Sequence, residues 1–261
     1  MTYHCKALGL AAALALALAP MAAPAATVDI AFQAFGTGTT GDIDNAKAAR
    51  KAFMGSSSNI FAENFETGFT TCDKNPDTSC SSAPVRDETA QNQTPISTAV
   101  GDFWGIGPAH NSLGGSRLEP TGEIVVRTNS PSNTFGRYDV DGDNNWLDSN
   151  DLNGIEWKIP GSTGLSNIHK IAFFLTDMDD VGSTNFRINV ADGNAPPQQT
   201  VTGIQGKRPD GELLLVTMLF SKPMNVLNIE MTTGKGDGYG ADGFQVGTVP
   251  LPASALLLLG G

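Results

Sequence analysis

Histidine is scarce in this chain, with three among 261 residues. Outside the first ten residues only His110 and His169 remain, which excludes a histidine-rich zinc site and leaves little for a histidine-based triad. No G-x-S-x-G elbow occurs, so a hydrolase nucleophile of that kind is missing. Positive charge is also short, 16 Lys and Arg against 27 Asp and Glu, for a formal charge of −11. Such a surface repels phosphate backbones and removes nucleic acid from the expected partners. With only three tryptophans, each one has to be placed individually in core or on surface.

Turn-forming residues are plentiful instead. The 30 glycines and 15 prolines, beside many Thr, Ser, Asn and Asp, suit a β fold with many turns. The N-terminus, MTYHCKALGLAAALALALAPMAAPAA, carries one positive charge at Lys6, an apolar run from Ala7 to Ala19 and then small residues. That is the layout of a secretory signal peptide, and the run is too short to span a bilayer comfortably. Ala23 and Ala25 fit the −3 and −1 positions for cleavage before Ala26, so segment 1–25 is expected to be removed. The remainder would carry about −12 by the same count.

Residues 26–58 form an N-terminal segment. In TVDIAFQAF the apolar Val28, Ile30 and Phe32 alternate, which predicts a strand. Asp44 then caps a short helix, NAKAARKAFM. From 59 to 248 strand candidates alternate with turn signals at sandwich-like intervals: STAVGDFWGI, SRLEP, EIVVRT, TFGRYDV, GIEWKI, HKIAFFLTDM, TNFRINVA, QTVTGIQ, ELLLVTMLF, NVLNIEMTT and GFQVGTV. Ile171 to Leu175 and Leu213 to Phe220 read as central strands buried on both faces, whereas FRINV and LNIEM alternate as strands with one wet face do. The fold class that follows is all-β: a jelly-roll-like antiparallel β-sandwich with one short N-terminal helix. Cys72 and Cys80 would pair in the oxidising exported compartment, a short loop closure contributing about 2.5 kcal/mol.

The richest concentration of chemistry lies in GRYDVDGDNNWLDSNDLNGIEW, residues 136–157. Asp139, Asp141 and Asp143 fall at positions 1, 3 and 5 of an EF-hand-like loop, with Asp148 and Asp151 close by. Asn144 replaces the usual Gly, and Asn150 stands where a bidentate Glu belongs, so the expectation is a β-sandwich calcium loop and not an EF-hand. A second, weaker calcium set is Asp237 and Asp242 in GKGDGYGADGF, meeting Glu63 or Glu66 if the first and last core strands are neighbours. Trp104 and Trp157 are expected in the core. Trp146 and Tyr239, in polar stretches, are the ligand-binding candidates.

The chain ends VPLPASALLLLGG, from Val249 to Gly261. This string resembles the VPLPA-CTERM sorting signal, a relative of the PEP-CTERM signals of Gram-negative bacteria, and the DGF strand running into it resembles the usual ending of such ectodomains. The resemblance implies an exosortase-type sorting partner and delivery to the envelope surface or an exopolysaccharide-rich exterior. The apolar run stops at Gly260 and Gly261, short of the roughly 30 Å of hydrocarbon, without the basic cluster that the family carries; segment 249–261 reads as a truncated signal. The E-x-D-x-x-E strand motif resembling laminarinase-type enzymes is missing. Two carboxylates from distant strands, drawn from Glu119, Glu123, Glu156 and Glu212 among others, would be the hydrolase alternative to a structural or glycan-binding role at extracellular polysaccharide.

Overall fold

The computed structural model describes residues 26–71, 81–84, 93–107, 123–128, 136–142, 144–150, 152–160, 163–178, 186–193, 199–204, 208–233 and 238–249. In chain order these form β1 (Val28–Ala34), α1 (Thr40–Met54), β2 (Asn59–Glu63), β3 (Ser82–Pro84), β4 (Ile96–Thr98), β5 (Gly101–Ile106), β6 (Glu123–Thr128) and β7 (Asn145–Asp148). There follow β8 (Gly154–Ile159), β9 (Ile168–Thr176), β10 (Phe186–Asp192), β11 (Gln199–Ile204), β12 (Leu213–Met224), β13 (Leu227–Thr232) and β14 (Gly240–Thr248).

Two antiparallel sheets face each other. The first runs β1-β12-β9-β14-β7-β6-β3, with β2 also paired to β14; the second runs β11-β10-β13-β8-β5-β4. Alternating side chains from both inner faces make one core. Its centre is aromatic: Phe244 of β14 packs edge-on to Phe103 at 4.8 Å and Trp157 at 4.9 Å, and stacks on Phe173 at 5.1 Å.

The continuous apolar runs behave as their composition requires. β9 lies between β12 and β14, and its Ile171, Phe173 and Leu175 enter the sandwich core while Ala172 and Phe174 point the other way. Those outward residues are covered by α1, which brings Ala46 and Met54 down on Phe174, Leu213 and Leu215. The helix starts earlier than its sequence signal suggested. Thr39, not Asp44, is the N-cap, exchanging hydrogen bonds with Asp42 in a capping box that satisfies two otherwise orphaned donors. Since β1 pairs with β12 along its whole length, residues 26–58 are built into the sandwich.

Two local readings change. TFGRYDV is not a strand in its described part, because Tyr138 to Val140 loop over the outer face of the first sheet. NWLD, inside the acidic stretch, is the short strand β7 between β14 and β6. The only helix among the described residues lies against β9 and β12 of the first sheet.

Candidate functional site

The acidic stretch was the first candidate, and its described carboxylates turn out to be engaged with the protein itself. Asp148 is 1% exposed and receives the guanidinium groups of Arg127 and Arg137, the latter at 2.9 Å, plus the Asn150 backbone N–H at 2.9 Å. Burial pushes this carboxyl up, but Arg137 and Arg127 together outweigh it and hold it below the usual carboxylate range. Asn150, at the position where calcium loops place a bidentate Glu, is a buried latch. It adopts φ 52°, accepts from Arg127 at 3.0 Å and donates to the Glu123 carbonyl at 3.0 Å.

Asp141 is held by both terminal nitrogens of Arg50 from α1, at 2.5 and 2.8 Å. The same guanidinium donates to the Gly243 carbonyl and lies 4.6 Å above the Phe174 ring, so Asp141 ties the helix to β14. Asp141 and Asp148 are thus neutralised by arginines, which leaves them unsuited to a cation. Asp143, Asp151 and Asp237 lie outside the described residues, as do Cys72, Cys80 and the sorting-signal string from Pro250 on.

The expected neighbourhood of first and last core strands is present, since β2 pairs with β14 and Glu63 sits opposite Phe244. The carboxylates there cap turns. Glu63 accepts the Phe65 N–H at 2.7 Å, and Glu66 accepts those of Asn144 and Asn145 at 3.1 and 2.7 Å. Asp242 accepts the N–H groups of Val140 and Asp141 at 2.8 and 2.7 Å. Its carboxyl also meets that of Asp139, and burial followed by the Asp139 charge pushes it well above the ordinary range. Asp139 is raised as well, mainly by burial. The carboxyls of buried Asp242 and half-buried Asp139 hydrogen-bond to each other, which places a proton between them. Among the described residues, no group of three or more His, Cys, Asp or Glu side chains is arranged to hold a metal ion.

The shared proton has a testable sign. A raised folded-state value means the pair's contribution is full below about pH 3.9 and is lost as pH rises through the folded values. Asp242→Asn keeps an acceptor for the two N–H groups and removes the second charge. It is expected to be at least as stable as the parent at pH 8 and to show a flatter stability profile between pH 5 and 8. Urea midpoints at the two pH values decide this; a variant with the parent's slope would show that the pair does not titrate in that window.

Neither predicted ligand aromatic is available. Trp146 is 1% exposed, with Gly240 tight against its ring. Tyr239 is fully buried, its hydroxyl accepting from the Ile155 N–H at 3.0 Å and donating to the Met231 carbonyl at 2.7 Å. Sequence polarity around them misled because β7 and the start of β14 are internal strands of the first sheet.

The aromatic that does face outward is Trp104. In β5 it is adjacent to Phe103, and alternation along a strand sends neighbours to opposite faces. Phe103 enters the core between Gly101 and Gly105, so Trp104 is half-buried on the outer face of the second sheet. Trp157 fills the core as expected. The outer face of this sheet is a lattice of polar side chains in register. Trp104 is opposite Glu156, Glu156 opposite Glu230, and Glu230 opposite Asn189. A parallel row runs Asp102, Lys158, Asn228, Ala191, and a third brings Ile106, Gly154, Thr232 and Arg187 together.

Asn189 donates to Glu230 at 2.9 Å, and the Lys158 ammonium lies 3.8 Å from Glu156. The Asn228 side-chain oxygen is buried with no hydrogen-bond partner. This constellation was missed although half its signal was visible: GIEWKI, LNIEM and FRINV each alternate apolar with polar residues. What the sequence did not show was that β8, β13 and β10 are adjacent and in step with β5.

No protein-family model matches the chain, and no curated protein is similar to it. Solved structures similar at low level include two carbohydrate complexes. One is Caldicellulosiruptor saccharolyticus CBM27-1 in complex with mannohexaose, at 10% identity and a TM-score of 0.31 over 73% of this chain and 97% of that one. The other is TmCBM61 in complex with β-1,4-galactotriose, at 10% identity and a TM-score of 0.18 over 45% of this chain and 80% of that one.

Proposed function

We propose that this is an exported, non-catalytic glycan-binding β-sandwich protein of the cell envelope surface or extracellular matrix. The outer face of the second sheet is its binding surface. The observation that carries the reading is the register row Trp104, Glu156, Glu230, Asn189. An indole face suits the apolar face of a pyranose ring, and adjacent carboxylate and amide groups suit its hydroxyls. Three strand-to-strand steps make the row about 14 Å long, the scale of a short oligosaccharide. Export rests on the sequence of residues 1–25, and the sorting-signal reading on the VPLPA string alone.

Cleavage is disfavoured by the same residues. Glu156 and Glu230 are directly opposite, with Cβ atoms about 5 Å apart as cross-strand neighbours are, and a retaining glycosidase uses carboxyls at similar separation. Such an enzyme needs one of them as a proton donor. Here Glu156 is buried with Lys158 3.8 Å from it, and Glu230 accepts from the Asn189 amide, so neither carboxyl is placed free at the floor of a cleft.

Affinity electrophoresis through gels containing soluble polysaccharides tests the proposal. A subset of polymers is expected to retard the protein, and Trp104→Ala to lose about thirtyfold in affinity, equivalent to about 2 kcal/mol for a central aromatic contact, with an unchanged unfolding midpoint. Retardation by no polymer, or by the same polymers in the variant, would refute the surface. Release of reducing ends would refute the non-catalytic part.

A further inference from the structure

The charges on this face narrow the class of glycan. Three carboxylates, Asp102, Glu156 and Glu230, share it with two cations, Lys158 and Arg187. Lys158 sits 3.8 Å from Glu156. Arg187 is exposed at the margin, opposite Thr232 in the neighbouring row. Glu230, in the middle of the Trp104 row, has a hydrogen bond from the neutral amide of Asn189. Glu156, next to the indole, is buried, so the carboxylate that a ligand lying along the row meets is the half-buried Glu230.

The hydrogen-bonding character points the same way. Carboxylates only accept. Hydroxyl groups supply donors. The carboxylate of a uronic acid or a sulfate ester supplies none, and would be desolvated beside Glu156 and Glu230. The chain's overall charge of −11 adds a long-range repulsion of the same sign.

We propose, on the basis of the glycan-binding reading above, that this face selects neutral, hydroxyl-rich polysaccharides and rejects uronate and sulfated ones, with Glu230 as the principal selectivity residue. The mechanism is a like-charge juxtaposition across the interface, which disfavours the wrong partner more than it strengthens the right one.

The experiment measures affinity for neutral β-glucan and β-mannan polymers and for polygalacturonate and alginate, at low and at high salt, with the parent, Glu230→Gln and Trp104→Ala. Expected is binding of at least one neutral polymer by the parent, and binding of the uronate polymers at least about tenfold weaker at low salt. The gap should narrow at high salt as the repulsion is screened. Glu230→Gln preserves the Asn189 hydrogen bond and is expected to reduce the discrimination several-fold while keeping neutral binding. Unfolding midpoints confirm that both variants are folded.

Uronate polymers bound as tightly as neutral ones by the parent would overturn the selectivity while leaving the binding surface standing. Unchanged discrimination in Glu230→Gln would overturn the assignment of Glu230. Failure to bind any polymer, or binding indifferent to Trp104→Ala, would instead overturn the glycan-binding reading on which this inference rests.

Discussion

Asp148→Ala is expected to destabilise the fold by about 3–5 kcal/mol, the range for removing one partner of a buried ion pair. The carboxylate is 1% exposed and serves two guanidinium groups that are themselves buried, Arg127 at 6% and Arg137 at 8% exposure. Removing it takes from both cations the buried carboxylate they share on the outer face of the first sheet, while Asp177 lies 3.7 Å from Arg137. It also frees the Asn150 N–H that fixes the turn after β7. Urea unfolding measures the loss at neutral pH.

Acid titration supplies an independent check. Asp148 is held below the ordinary range, so its contribution is present above about pH 3.9 and fades as pH falls through the folded-state value. The parent should therefore lose stability in strong acid more steeply than Asp148→Ala does. A neutral-pH loss below about 1 kcal/mol, the size of an exposed pair, would mean that the cluster is solvated and that its assignment as a structural staple is mistaken.

The second large effect belongs to the aromatic centre. Phe244→Ala should cost about 3–5 kcal/mol, because the ring is fully buried and its neighbours are too interlocked to collapse into the space. Phe65, Phe103, Trp157 and Phe173 all contact it, with ring centroids between 4.8 and 5.9 Å. Phe244→Leu, which keeps much of the volume, should lose markedly less. Trp157, 4.9 Å from the Phe244 ring, gives a second readout: its emission should shift to the red in the folded Ala variant as its surroundings loosen. An alanine variant within about 1 kcal/mol of the parent would show that this cluster is not where the two sheets are joined.

The first effect shows that Asp148 of the acidic stretch, one of its described aspartates, is tied into the fold. Five aspartates within thirteen residues suggested a cation, yet two of the arginines that neutralise the described ones come from outside the stretch. Arg50 reaches Asp141 from a helix 91 residues earlier, and Arg127 reaches Asp148 from the next strand in the sheet. The compensation is only partly local: Arg137 lies within the stretch, 11 residues from Asp148, whereas Arg50 and Arg127 lie outside it. The Asp139 and Asp242 pair is compensated in another way, by a shared proton across 103 residues of sequence.

By itself the sequence determined the fold class and the identity of the central strands. Each depends on patterns a few residues long, whether a period of two, an unbroken apolar run or a Gly-bounded turn. Local pattern also marked FRINV and LNIEM as strands with one wet side, and that was correct. Only the tertiary structure decided which wet sides make one surface. Register sets Trp104, Glu156, Glu230 and Asn189 in line, and register arises from pairing between residues up to 74 apart, Glu156 with Glu230. For the same reason Trp104 and Trp146 exchanged places: in a strand a tryptophan's exposure is set by what packs over its face, and that packing comes from elsewhere in the chain.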